Sequence, residues 1–279
     1  MVLLLTLTIW TARLSSGGGL STASIAGFAG GSRPCSEGTR GSLQSRWVRV
    51  PALRDAVLET QQSIWVTLGV DASNKEQREY GSSVSGQQIY YLLDAALAST
   101  ICEIGFYFGL GAANFLHANN RVVYHGFDVS FHAGLKTLFS SKFGERAQFH
   151  TGSSVETVPA FNGTCDIIHV DGNHHGDFPA ADLANMRAKA SCDHLIFADD
   201  TFDCPDFPAG GQCWTVCDSC DCYAKGICNE ASQAWWAAVK SGSIESLGCV
   251  WLGLTKGGIG IYPKGYCVGR YIDPPSCFI

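Results

Sequence analysis

Thr100 to Asn114 reads TICEIGFYFGLGAAN. A short apolar run, Ile101 to Ile104, breaks at Gly105 into a glycine-spaced turn. Ala112, Ala113, Phe115 and Leu116 then resume at helical spacing. Strand, tight loop, helix is the opening of a nucleotide-binding βαβ unit, although such a turn can also be only a turn. Gly105 and Gly109 let backbone approach a ligand closely, and free N–H groups at a helix start favour an anionic group. Glu103 stands at the strand's end, where a carboxylate would be out of place in a core strand. Asp128 closes the next apolar run, Val122 to Phe127, near the spacing of roughly 20 residues at which such folds carry the acid for ribose hydroxyls.

Downstream the alternation continues. Gly134 to Phe143 predicts a helix, Ala147 to Thr151 a strand ending in Gly152-Ser153-Ser154, and Val155 to Phe161 a further helical turn. Cys165 to Val170 predicts a fourth strand ending at Asp171, Asp177 to Lys189 a helix, and Leu195 to Ala198 a fifth strand ending in Asp199-Asp200. Glu230 to Val239 returns to helix, and Cys249 to Leu254 with Gly258 to Tyr262 reads as a closing antiparallel pair. Upstream, Ala56 to Ala98 is helical apart from the polar stretch 71–81, and Ser85 can cap a helix carrying Ile89, Leu92, Leu93 and Leu97. Strands and helices at this spacing imply a parallel sheet covered on both faces, with ligands at the carboxyl ends of its strands. Glu103, Asp128, Ser153, Asp171, Asp199 and Asp200 all fall at that edge. Carboxylates gathered so closely repel one another unless a cation is shared, and hard oxygen donors suit magnesium, calcium or manganese. Each Asp singly could equally start or cap a turn.

The E-x-G-x-x-x-G spacing is not that of nicotinamide enzymes, which makes a dehydrogenase the poorer reading. Over roughly Gly81 to Pro263 the sequence resembles class I S-adenosylmethionine-dependent methyltransferases, and within them the metal-dependent O-methyltransferases of the catechol and caffeoyl-CoA type. The resemblance implies an α/β, Rossmann-like, doubly wound sheet of seven mostly parallel strands with a final antiparallel strand. It implies S-adenosylmethionine held by Glu103, Gly105, Gly109, Gly111, Asp128 and Ser153. It also implies a divalent metal, magnesium first, on Asp171, Asp199 and Asp200. His174 stands where catechol-type relatives carry a lysine base, and Asp200 where they carry Asn. DGNHH, Asp171 to His175, also looks like the DGxH phrase of sugar and macrolide O-methyltransferases, whose His is the base. Ser153 stands where many relatives carry an acid near the adenine. The expected activity is metal-assisted O-methylation of a small-molecule hydroxyl, with His174 as catalytic base. His175 is the alternative base, and His169, inside a strand, reads as a hydrogen-bonded core residue.

With 279 residues, the chain has room for one such domain, read as 58–279, behind a distinct segment 1–57. A net charge of −6 and a pI near 5.7 give no nucleic-acid footprint. Val2 to Trp10 is too short to span a membrane, and up to Arg54 the only acid is Glu37. An apolar run followed by a Ser/Gly/Arg-rich, acid-poor segment suggests a secretory signal, alone or with an organelle-targeting extension. The alternatives are a disordered tail or an incomplete gene start, with the protein then cytoplasmic. Of thirteen cysteines, six lie between Cys204 and Cys228, in an insertion (201–229) that leaves the fifth strand at the ligand edge. Cys217 and Cys220 could form half a zinc site, but the missing second pair favours disulfides in an oxidising compartment. The insertion reads as a lid over the substrate or as surface decoration. One sequon, Asn162-Gly163-Thr164, falls in a predicted loop. A second function remains open at this stage: a catalytically inactive, disulfide-stabilised secreted binding protein on the same fold.

Overall fold

The computed structural model describes residues 51–70, 95, 97–201, 230–257 and 260–278. The expected targeting segment up to residue 50, the Ser85-capped helix and the cysteine-rich insertion lie outside the described residues. The described elements are α1 (Pro51–Thr67), β1 (Thr100–Ile104), α2 (Leu110–Ala118), β2 (Val123–Asp128), α3 (Ala133–Phe143), β3 (Ala147–Thr151), α4 (Ser154–Ala160), β4 (Cys165–Val170), α5 (Phe178–Arg187), β5 (Ala190–Asp199), α6 (Glu230–Lys240), β6 (Ile244–Gly257) and β7 (Gly260–Tyr271). Helix α1 opens on Pro51, where a missing N–H costs nothing, and so starts ahead of Ala56.

The seven strands form one sheet in the order β3-β2-β1-β4-β5-β7-β6. The first five are parallel; β7 runs antiparallel to β5, and β6 antiparallel to β7. This is the doubly wound sheet expected from the sequence. The closing hairpin is longer than its apolar pattern suggested, because register shifts at Ser246/Gly248 and Trp251/Gly253 interrupt the two-residue alternation.

Both faces of the sheet are buried, which explains strands that read as near-continuous apolar runs. On one face Ile64 and Trp65 of α1, Ala113 and Phe115 of α2 and Leu135 and Phe139 of α3 pack over Ile101, Tyr124 and Ile167. On the other, Val158 of α4, Leu183 and Met186 of α5 and Trp235 of α6 pack over Cys102, Ile104, Phe127 and Ile168. Disulfides join Cys102 to Cys165, Cys192 to Cys277 and Cys249 to Cys267. The first lies within the sheet between neighbouring strands β1 and β4; both its cysteines are fully buried.

Candidate active site

The turn after β1 is held by its neighbours. Gly105 (φ 92°) donates its N–H to Phe127 O at 2.8 Å. A Cβ on Gly105 would lie 1.8 Å from the backbone oxygen of Asp171, so this glycine is required because the turns after β1 and β4 touch. Gly109 (φ 79°) is the N-cap of α2, and a Cβ there would strike the rings of Phe106 and Phe139. The sequence assigned both glycines to ligand approach; protein packing alone demands them. Gly111 leaves room for another group: a Cβ there would come within 2.1 Å of Glu103 Oε1.

Glu103 does not reach the open edge. It is 2% exposed, on the α1–α3 face of β1, between Tyr124 of β2 and His169 of β4. The Tyr124 hydroxyl donates to Glu103 Oε2, and Glu103 Oε1 lies 2.8 Å from His169 Nδ1. Burial pushes the Glu103 carboxyl upward. Burial alone would depress His169, but its bond to Glu103 outweighs that, and Asp171 and Asp199 add to the rise. His169 is the core histidine that the sequence suggested; its partner was not legible.

Asp128 does stand at the edge. Its Oδ2 accepts the N–H of Tyr107 at 2.9 Å and its Oδ1 that of Ser130 at 3.1 Å, which ties the glycine turn to the end of β2. Tyr107 (φ 47°), bonded to it, and Val129, next in the chain, are exposed. Ser153 is the N-cap of α4 without a side-chain cap bond, so its hydroxyl is not committed to the helix.

Beyond β4 the chain turns through Asp171 to His174. The His174 ring lies between two carboxylates: Nε2 is 3.5 Å from Asp171 Oδ1 and Nδ1 is 3.4 Å from Asp200 Oδ2. Burial opposes its charge, but the two carboxylates prevail and raise its pKa to about 10. His174 is therefore an imidazolium at neutral pH, not the poised neutral base that its unperturbed chemistry suggested. His175 turns away, with Nδ1 3.4 Å from Glu230 Oε2 of α6, and is 62% exposed.

Two of the three acids, Asp171 and Asp200, meet on the His174 ring. Asp199 ends β5 and is buried, with its charge felt at His169; Asp200 leaves the strand in a left-handed conformation (φ 51°) and meets His174. Among the described residues, no group of three or more His, Cys, Asp or Glu side chains is placed to hold a metal ion. In this arrangement the cation between Asp171 and Asp200 is the imidazolium, and the residues do not fit the divalent metal implied by the resemblance.

One acid was missed by the sequence reading. Asp182 of α5 is 1% exposed, and its Oδ1 has no hydrogen-bond partner among the described residues. Its Oδ2 would lie 3.1 Å from a Cβ on Gly172, so it sits directly beneath the turn that carries His174. Burial raises its pKa to about 6, against the opposing effects of Ser154 and His174. The signal was present: with Pro179, Leu183 and Met186, position 182 completes the buried stripe of α5. Beside it is a small recess of about 10 Å³, lined by Val170, Gly172, His174, Leu183, Asp199 and Ala231 among others.

Comparison with known proteins bears on this edge. Residues 102–201, from β1 through the acids after β5, match a family profile described as a methyltransferase domain. Among solved structures, the SAH-bound methyltransferase PaMTH1 of Podospora anserina superposes with a TM-score of 0.54 at 18% identity, covering 88% of this chain and 100% of that one. A Klebsiella pneumoniae protein assigned as an O-methyltransferase superposes at 0.50 and 12% identity, covering 84% and 99%. No curated protein matches the sequence. The matched segment holds the glycine turn, Asp128 and the acid-flanked histidine; over residues 102–201 the chain is similar to a methyltransferase domain, and its sheet order is that of the fold shared with these structures.

Proposed function

We propose that this protein is a methyltransferase that transfers a methyl group from S-adenosylmethionine to a hydroxyl oxygen of a small molecule, with His174 as proton acceptor. One observation carries the proposal. The acid-paired His174 and the carboxylate of Asp128 stand at the carboxyl edge of one sheet, on neighbouring sides of the glycine turn. The donor set at the end of β2 suits the cofactor: a half-buried carboxylate for a ribose diol, with exposed Val129 next to it for an aromatic base. When bound, S-adenosylmethionine supplies an electrophilic methyl carbon on a sulfonium cation.

The chain's own groups do the rest. Asp128 fixes the glycine turn and accepts hydroxyl donors. The recess beside His174 marks where the substrate's hydroxyl would meet the ring, in line with the methyl group. Only neutral His174 can take the hydroxyl proton; with a pKa of about 10, roughly one part in a thousand is neutral at pH 7. Metal assistance, implied by the resemblance to catechol-type enzymes, is not part of the proposal, because Asp171 and Asp200 are engaged with His174. The charged state of His174 also supports a second reading, a binding protein without turnover.

Calorimetry with S-adenosylhomocysteine and methyl-transfer assays on catechols, phenols and sugar hydroxyls, each with and without a chelator, test this. Asp128→Ala should weaken cofactor binding by about 1–3 kcal/mol. His174→Gln should keep that binding and lose about 10²–10⁴ in rate. Unaltered affinity in Asp128→Ala overturns the ribose role. Binding without turnover at any pH supports the second reading, and activity abolished by the chelator restores the metal.

A further inference from the structure

The sequence contains one Asn-x-Ser/Thr triplet, Asn162-Gly163-Thr164, and it plays no part in the methyl-transfer chemistry. In the structure it occupies the loop between the C-cap of α4 at Phe161 and the first residue of β4, Cys165. Asn162 and Thr164 are both exposed and lie outside helix and strand, so both recognition side chains face solvent on irregular backbone. The middle residue is glycine, which a glycosylation signal tolerates, whereas proline is excluded.

A second observation points to the compartment in which such a loop is made. Three disulfides lie among the described residues, and one begins at Cys165, immediately after the triplet. Bridges of this kind form and persist in oxidising environments and are rare in the cytosol. The eukaryotic secretory lumen, which supplies that environment, is also where asparagine acceptors are glycosylated. The loop is also clear of the chemistry. It sits at the amino end of β4, whereas Asp171 follows the carboxyl end, and six residues of strand separate the two edges by about 20 Å. A bulky polar group at Asn162 would leave the recess at His174 open.

We infer that Asn162 is an N-glycosylation site, modified as the chain passes through the secretory pathway. The co-reactant is an oligosaccharide joined to a lipid through a diphosphate. Asn162 Nδ2 attacks the anomeric carbon, forming the C–N bond and losing one proton. The bond from that carbon to the diphosphate oxygen breaks, and the lipid diphosphate leaves with the electron pair and takes up the proton. The Thr164 hydroxyl serves recognition and is unchanged.

The full chain, expressed in a eukaryotic host and purified without reductant, tests this. Mass spectrometry of the peptide spanning Asn162 should find hexosamine-based glycan, removed by a peptide N-glycosidase that leaves aspartate in place of the asparagine. Asn162→Gln and Thr164→Ala should each abolish the gel-mobility shift, while Thr164→Ser should keep it. The Cys102–Cys165 bridge in the same digest reports whether that molecule met an oxidising lumen. Unmodified Asn162 in bridged protein overturns the site itself. Unmodified Asn162 with free Cys102 and Cys165 thiols overturns both the site and the secretory route.

Discussion

Replacing Gly105 by alanine should be among the most damaging single-methyl additions to this protein, and the cost can be built from the structure. The new Cβ would stand 1.8 Å from Asp171 O and 2.5 Å from Asp171 C, against an ordinary contact that begins at 3.4 Å. Both are backbone atoms, so no side-chain rotation relieves the clash. The turn after β4 must retreat by about 1.6 Å, and overpacking of this kind costs about 1–3 kcal/mol. The backbone conformation (φ 92°) adds about 1–3 kcal/mol for a residue with a side chain. The sum, about 2–6 kcal/mol, is a large part of the 5–15 kcal/mol typical of a domain. Gly69→Ala is the control: φ is 68°, but nothing lies within 4 Å of the added atom, so only the backbone cost remains. Urea unfolding of both variants with disulfides intact gives the comparison, followed by tryptophan fluorescence. Equal losses in Gly105→Ala and Gly69→Ala would refute the argument that two turns are packed backbone to backbone.

Two further predictions rest on charge. The folded pKa of His174 is raised, so its pairing stabilises the protein fully below the unfolded value of 6.5 and is lost as pH rises through about 10. The kcat/KM of the wild type should climb over the same window if neutral His174 is the base; a profile flat from pH 7 to pH 10 would remove it from that role. Asp182 is also raised, to about 6, so its neutral form stabilises the fold below 3.8 and that contribution fades as pH rises through about 6. Asp182→Asn should therefore gain thermal stability over the parent at pH 7.5 and not at pH 3.5; a pH-independent difference counts against a buried ionised carboxylate there.

Much of this molecule is legible locally. The glycine turn, the alternation of strands and helices and the acids at strand ends follow from period and punctuation, and those signals placed Asp128, Asp171, His174 and Asp200 at one edge. What was not legible depends on partners distant in sequence. Glu103 looked like an edge residue because nothing nearby could satisfy it; its partners lie 21 and 66 residues away on the two flanking strands. Asp199 and Asp200 looked like one ligand pair, yet one completes a strand and the other begins a left-handed turn, so adjacency in sequence became divergence in space. Asp182 escaped notice because an acid in an amphipathic helix is ordinarily assigned to solvent.

The boundary between β1 and β4 divides the sheet into β3-β2-β1 on one side and the remaining strands on the other, and it is riveted along its whole length. At the amino end Asp166 Oδ2 accepts the N–H groups of Ser99 and Thr100. The Cys102–Cys165 bridge crosses next, on the α4–α6 face, and Glu103 with His169 crosses on the opposite face. At the carboxyl end Asp171 N–H reaches Ile104 O at 2.9 Å. Such a seam leaves no place for a hinge. The two halves must move as one plate, so ligands cannot be admitted by a clamshell opening between them. Traffic to His174 has to come over the top of the sheet edge, and unravelling has to begin at the outer strands, β3 or β6, before the centre yields.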